Sequence, residues 1–253
     1  MKIVAYGGTD RGKIRVNNED AYLLNDTVNL FAVADGMGGY EGGEIASRLA
    51  VETLAAIVPD ALMGTDLPGS SGSPSCDDAG STAFRSAFEL ANREIRLAQA
   101  RNPVLSRMGT TLTALLLLPE RAVLAHMGDS RAYLLRGKEL TQLTSDHSFV
   151  AEQVRAGVFT EEEARTSPFR HIITRALGID DAVNADLTSH DVQKGDRFLL
   201  CTDGLTGMMS DAEINATLDG SSPQEGVDQL LSAANACGGV DNVTAVVVWV
   251  AEV

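Results

Sequence analysis

Several things are scarce in this sequence. No apolar run approaches the roughly 18 residues of a membrane span, and the N-terminal Met1-Lys2-Ile3-Val4 lacks the charged-then-apolar pattern of a signal peptide. Only three cysteines are present, Cys76, Cys201 and Cys237. Their odd number and unrelated spacings predict free thiols in a reducing compartment rather than a disulfide frame. Positive charge is also short: 20 basic against 35 acidic residues give a formal charge of −15. Such a surface repels phosphate backbones and anionic lipids, which argues against nucleic-acid and membrane-surface roles. The four histidines show no paired metal spacing, which argues against zinc. A cytoplasmic protein acting as a monomer is expected.

What is present suits a full-sized core. The 253 residues, 44% hydrophobic and 22% charged, fit a single domain over 1–253. Strand-like segments fall at 3–6, 21–24, 31–37, 112–118, 122–127, 132–135, 140–143, 185–188, 198–201 and 243–250, many joined by short turns that imply antiparallel neighbours. Helical periodicity marks 44–58, 81–101 and a late segment whose inner face is Val227, Leu230, Leu231 and Ala234. Two small polar helices are predicted at 149–157 and 161–165. Between 59 and 80 the composition turns to Gly, Ser, Pro and Asp, which predicts a flexible loop inside the domain. With no βαβ alternation and no internal repeat, the expected fold class is α+β, with helices packed outside paired antiparallel sheets.

Carboxylates recur at the ends of these strands. Asp35 follows an apolar strand and enters the turn Gly36-Met37-Gly38-Gly39, where glycine permits sharp bends and close approach of carbonyls. Asp129 follows a strand through Gly128, Asp203 follows 198–202, and Asp241 precedes Asn242 and the last strand. In an antiparallel sheet, the exits of some strands and the entry of another share one edge, so the four can converge. An oxygen-only site of this kind suits Mg²⁺ or Mn²⁺, and two such ions can generate a hydroxide nucleophile near neutral pH. Arg15, close to Glu19 and Asp20, offers a planar fork for phosphate oxygens, a contact worth about 1.5–3 kcal/mol.

Eight segments, in order, resemble one family: Thr-Asp-Arg-Gly-Lys-Ile-Arg-Val-Asn-Asn-Glu-Asp at 9–20, Val-Ala-Asp-Gly-Met-Gly-Gly at 33–39, Gly-Thr-Thr-Leu at 109–112, Gly-Asp-Ser-Arg-Ala-Tyr-Leu at 128–134, Leu-Thr-Ser-Asp-His-Ser at 143–148, Thr-Arg-Ala-Leu-Gly at 174–178, Thr-Asp-Gly-Leu at 202–205 and Asp-Asn-Val-Thr at 241–244. Together they resemble the metal-dependent serine/threonine protein phosphatases of the protein phosphatase 2C type, in their compact bacterial form. The resemblance implies a four-layer αββα sandwich of two antiparallel sheets flanked by helices. It implies a centre of two Mn²⁺ or Mg²⁺ ions, with a third ion known in bacterial members, that hydrolyses phosphoserine and phosphothreonine by direct attack of a bridging hydroxide.

By the same resemblance Asp35 is the bridging ligand and the Gly36 carbonyl a ligand of the second ion. Asp203 and Asp241 hold the first ion, and Asp129 with Asp203 the third. Asp20 is an outer acid that orients water, with Glu19 a neighbour, and Arg15 is the phosphate clamp. Residues 148–168 correspond to the flap beside the site, phosphorylated proteins are the implied substrates, and a cognate Ser/Thr kinase is the implied partner. Many members carry a histidine just after Asp-Gly or Gly-Gly, where this chain has Met37 and Tyr40. The leaving-group proton is then left to a metal-bound water, Tyr40, His147 or His171. A catalytically silent, phosphoprotein-binding adaptor of the same fold is the alternative.

Overall fold

A computed structural model describes residues 1–38, 42–63 and 76–252, with the side chains of 76–78 outside the description. The elements in chain order are strands β1 (Lys2–Asp10), β2 (Asp20–Asn25) and β3 (Leu30–Met37), helices α1 (Gly42–Met63) and α2 (Cys76–Arg101), then β4 (Gly109–Thr110), β5 (Leu112–Leu117), β6 (Arg121–Met127), β7 (Arg131–Arg136) and β8 (Glu139–Gln142). There follow α3 (Phe149–Arg155), α4 (Glu161–Thr166), β9 (Asp186–Asp191), β10 (Arg197–Cys201), α5 (Asp203–Thr206), α6 (Asp211–Leu218), α7 (Pro223–Ala236) and β11 (Val243–Glu252). No helix among the described residues is long and apolar enough to cross a membrane.

The strands form two antiparallel sheets, one in the order β1-β11-β10-β7-β8 and the other β2-β3-β5-β6-β9, with β4 paired to β3. Side-chain alternation along β3 explains how they stack. Phe31 and Val33 join Leu115 and Leu124 on one face and meet Leu134, Phe198, Leu200, Val246 and Val248 of the other sheet. Leu30, Ala32 and Ala34 point the opposite way, against Ala46, Ala50 and Leu54 of α1 and Phe84 and Phe88 of α2. The outer face of the first sheet, through Leu199, Ala245 and Val247, is covered by Ile214 of α6 and by Val227, Leu230 and Ala234 of α7. The layers are therefore helix, sheet, sheet, helix, the expected sandwich. Because both faces of β3 are buried, it reads as a continuous apolar run rather than an alternating one.

Some boundaries differ from expectation. β1 continues to Asp10 because long β11 offers partners as far as Val243. α1 passes through Pro59 to Met63 and α2 begins at Cys76, so both helices reach into the 59–80 segment expected as a loop. Packing along both helices outweighs the local proline and glycine signals; residues 64–75 lie outside the described residues. The small helices at the expected flap are α3 and α4, each with a side-chain N-cap, Ser148 and Thr160. Helices α5 and α6 were not anticipated, although Ser210 and Glu213 form a capping box at the start of α6. Cys201 is buried and Cys237 exposed, both as free thiols.

Phe31 is fully buried between the two sheets, so Phe31→Ala is expected to cost about 3–5 kcal/mol. In the 3₁₀ turn after α2, Val104 is 76% exposed, and Val104→Ala is expected to stay within about 0.5 kcal/mol. Urea unfolding of both variants measures the contrast.

Candidate active site

β2 and β3 set Asp20 directly opposite Asp35 in register. The Asp35 main chain is gripped by the β4–β5 junction: Thr111 N–H donates to the Asp35 carbonyl at 2.9 Å, Thr110 Oγ1 donates to the same oxygen at 2.9 Å, and Asp35 N–H donates to Thr111 Oγ1 at 2.9 Å. Gly36 comes next, and close approach explains its identity. A Cβ there would lie 2.1 Å from the Gly43 carbonyl oxygen and 2.5 Å from that of Glu19, so the turn admits only glycine. Gly38, with φ +144°, does occupy a left-handed region, whereas Gly39 and Tyr40 lie outside the described residues.

The remaining carboxylates arrive from three other chain segments. Asp129 follows Gly128 at the exit of β6, Asp203 opens α5 at the exit of β10, and Asp241 stands before β11. Asn242 fastens this last corner to the N-terminal loop. Its Nδ2 donates to the carbonyls of Arg11 and Asn17, each at 2.9 Å, while its Oδ1 accepts from Glu19 N–H at 2.8 Å. Gly204 packs so tightly below it that a Cβ would meet the Asn242 carbonyl at 1.9 Å. Asn242 is thus the link that brings residues 11–19 to the carboxylates, a role not read from sequence although it lies in the Asp-Asn-Val-Thr segment.

These pieces enclose one cavity of about 640 Å³ whose lining includes Arg15, Glu19, Asp35, Gly36, Asp129, Asp203 and Asp241. Asp20 lies behind it, half-buried, with Oδ2 accepting from Thr202 Oγ1 at 2.9 Å and Thr244 Oγ1 at 2.6 Å, while Oδ1 is buried without a partner. All eight expected groups are therefore at or beside one cavity. Val16, His171 and Ile173 also line it; sequence reasoning gave no role to Val16 or Ile173. Arg15 Nη2 donates to Asp241 Oδ2 at 2.7 Å, with both side chains partly exposed.

Burial and mutual repulsion act on the acids together. Burial, then the charges of Asp20, Asp203, Asp129 and Asp241, hold Asp35 well above the usual carboxylate range. Burial raises Asp20 to about 7 against its two threonine hydrogen bonds. Asp129 is raised to about 8, by burial first and then by Asp203 and Asp146. Asp203 is raised by burial and Asp241, with partial relief from a hydrogen bond to Asp35. Burial also raises Glu19. Arg15 is lowered by burial but raised overall by its hydrogen bond and attraction to Asp241, with help from Asp35 and Glu19.

Acceptors crowded this way need protons or cations. Asp129 Oδ1, like Asp20 Oδ1, is buried with no hydrogen-bond partner, and the donor set of carboxylates and a carbonyl is that of a hard divalent ion. Among the described residues, no three His, Cys, Asp or Glu side chains form a closed ligand set. The carboxylates line the cavity from separate chain segments instead. Of the two histidines considered as proton donors, His171 lines the cavity. His147 does not: it is buried and both ring nitrogens are engaged, Nδ1 by Gly128 N–H at 3.1 Å and Nε2 with Asp186 at 3.1 Å.

Comparison with known proteins identifies the family. The family model described as protein phosphatase 2C matches residues 8–239. The serine/threonine protein phosphatase PstP of Mycobacterium tuberculosis is 41% identical over 96% of this chain, and the chain spans 44% of PstP's length. The serine/threonine phosphatase stp of Listeria monocytogenes is 37% identical over 95% of this chain and 93% of its own. The solved catalytic domain of PstP in complex with two manganese ions superposes with a TM-score of 0.84 at 38% identity, over 99% of both chains. In sequence and in fold, the chain belongs to the protein phosphatase 2C family.

Proposed function

We propose that this chain is a metal-dependent serine/threonine protein phosphatase that hydrolyses phosphoserine and phosphothreonine by direct in-line attack of water, with no phosphoenzyme. The observation that carries this reading is the convergence of four aspartates from separate strand ends, together with one arginine, on a single cavity. The donor set fits two Mn²⁺ or Mg²⁺ ions, with a third beside them. When bound, such ions lower the pKa of a coordinated water toward about 7 and offset phosphate charge.

In this reading Asp35 would be shared by the two ions, the Gly36 carbonyl would help hold the second, Asp203 and Asp241 would hold the first, and Asp129 with Asp203 would hold a third. Asp20 directs its unpartnered Oδ1 toward ordering water, since its other oxygen is committed to Thr202 and Thr244. Arg15 orients the phosphate, with its pairing to Asp241 holding the guanidinium at the cavity wall in the meantime. The flap at 148–168 selects among phosphorylated proteins, and the enzyme works as a cytoplasmic monomer opposite a cognate Ser/Thr kinase. An adaptor of the same fold would have no chemical need for the complete acceptor set beside Arg15.

Phosphate release from a phosphothreonine peptide is expected to require Mn²⁺ or Mg²⁺ and to disappear with chelator and in Asp203→Asn; turnover that persists in both conditions would refute the reading. Arg15→Ala is expected to lower kcat/KM on the peptide by about 10- to 150-fold, the equivalent of a charge-assisted contact of about 1.5–3 kcal/mol. Its Mn²⁺ affinity, read by calorimetric titration, is expected not to fall, because Arg15 competes for Asp241.

A pH dependence follows from Asp20 and Asp129. Their folded pKa values, about 7 and about 8, exceed the ordinary value of about 3.9, so the folded state binds more protons between these limits. Chelator-treated protein is therefore expected to lose stability as pH rises from about 4 toward 8. Added Mn²⁺ displaces those protons, so its stabilising effect is expected to grow over the same range; thermal unfolding with EDTA and with Mn²⁺ at stepped pH measures both trends.

A further inference from the structure

Gly128 is the joint between β6 and Asp129. It sits at φ +119°, and a Cβ there would strike the Thr111 side chain at 2.5 Å. Glycine can reach such a conformation but does not hold it unaided. One residue holds it from both sides: His147 N–H donates to the Gly128 carbonyl at 2.7 Å, and Gly128 N–H donates to His147 Nδ1 at 3.1 Å. Because Nδ1 accepts, the hydrogen-bond pattern assigns the ring proton to Nε2, which faces Asp186 Oδ2 at 3.1 Å. Arg175 Nη1 donates to the other oxygen of Asp186 at 3.2 Å and also lies 3.4 Å from His147 Nε2. The imidazole is 2% exposed and lies against His126, ring centroids 4.8 Å apart.

The same residue grips the base of the flap. The His147 carbonyl accepts from Thr174 N–H at 2.8 Å, and the adjacent Ser148 pairs with Ile173 as an antiparallel bridge. Ile173 and Asp129 both line the cavity. Two of its walls, far apart in sequence, are thus joined through a single buried side chain and its main chain.

We infer that His147 is a positioning residue that locks Gly128, and through it Asp129, to the base of the flap, with Asp186 and Arg175 fixing the ring that makes the lock. The metal part of this inference rests on reading Asp129 as an ion ligand; the conformational part does not. A histidine that merely filled the core would be indifferent to which of its two ring nitrogens keeps its partners.

Two near-isosteres separate the contacts. In His147→Asn the amide oxygen takes the place of Nδ1 and keeps the Gly128 bond. In His147→Gln the longer amide reaches Asp186 and leaves Gly128 N–H unpaired. Amide hydrogen exchange of the metal-free proteins, read by NMR, is expected to show Gly128 exchanging at least about tenfold faster in His147→Gln than in His147→Asn, with β5 amides equally protected in both. Mn²⁺ titration is expected to show the weakest ion weakened by about tenfold or more in His147→Gln, retained in His147→Asn, and lost in Asp129→Asn. Equal Gly128 exchange in the two His147 variants would overturn the inference. If Asp129→Asn leaves ion stoichiometry unchanged, the third-ion reading falls, and the exchange contrast still decides the role of His147.

Discussion

The repulsion among carboxylates gathered at one edge of the sandwich is the constraint on which the site's architecture turns. Asp129 is buried, Asp35 and Asp203 are half-buried, and all three are raised in pKa by burial and by their neighbours. Left to side-chain preferences, such groups would turn outward to water. They are held inward by backbone that cannot yield. Thr110 and Thr111 bind the Asp35 main chain on one side, Gly36 is wedged against Gly43 and Glu19 on another, and Gly204 is pressed against Asn242. Binding of cations is the physical counterpart of that arrangement, since positive charge removes the repulsion that the scaffold enforces.

The two-sheet core makes this enforcement affordable only because it is independent of the site. Three apolar layers, one between the sheets and one beneath each pair of flanking helices, lie along the strands, whereas the acids lie at their ends. The strands act as rigid carriers, and the loops they present are tied by side chains with few alternatives. Asn242 makes three bonds to residues 11–19, Thr202 and Thr244 both hold Asp20, and His147 binds Gly128. These ties convert approximate convergence of strand ends into a defined cavity.

Legibility followed the range of the interactions concerned. β3, β5, β6, β10 and β11 were readable because apolar character persists over a whole strand, and the buried stripe of α2 was readable from Phe84, Phe88 and Ile95. The limits of α1 and α2 were not, because Pro59 and the glycine-rich composition around it signal a break locally while tertiary packing continues the helix to Met63. Helix α6, only 8 residues long, was too short to show a period, although its capping box was written in Ser210 and Glu213. Asp35, Asp129, Asp203 and Asp241 were legible as a set because each adjoins a glycine or asparagine at a strand end.

By itself the sequence determined the chemistry on offer: which oxygen donors are available, and that one arginine accompanies the acids. Residue type and local pattern carry that information, and no distant contact alters it. Only the tertiary structure decided which of those groups meet and how they are held. It placed Asp20 behind the cavity on two threonines, set Arg15 on Asp241, brought His171 to the cavity and withdrew His147 into the interior as a support for Gly128. Those outcomes depend on bonds between residues as much as 226 positions apart, which no local pattern can encode.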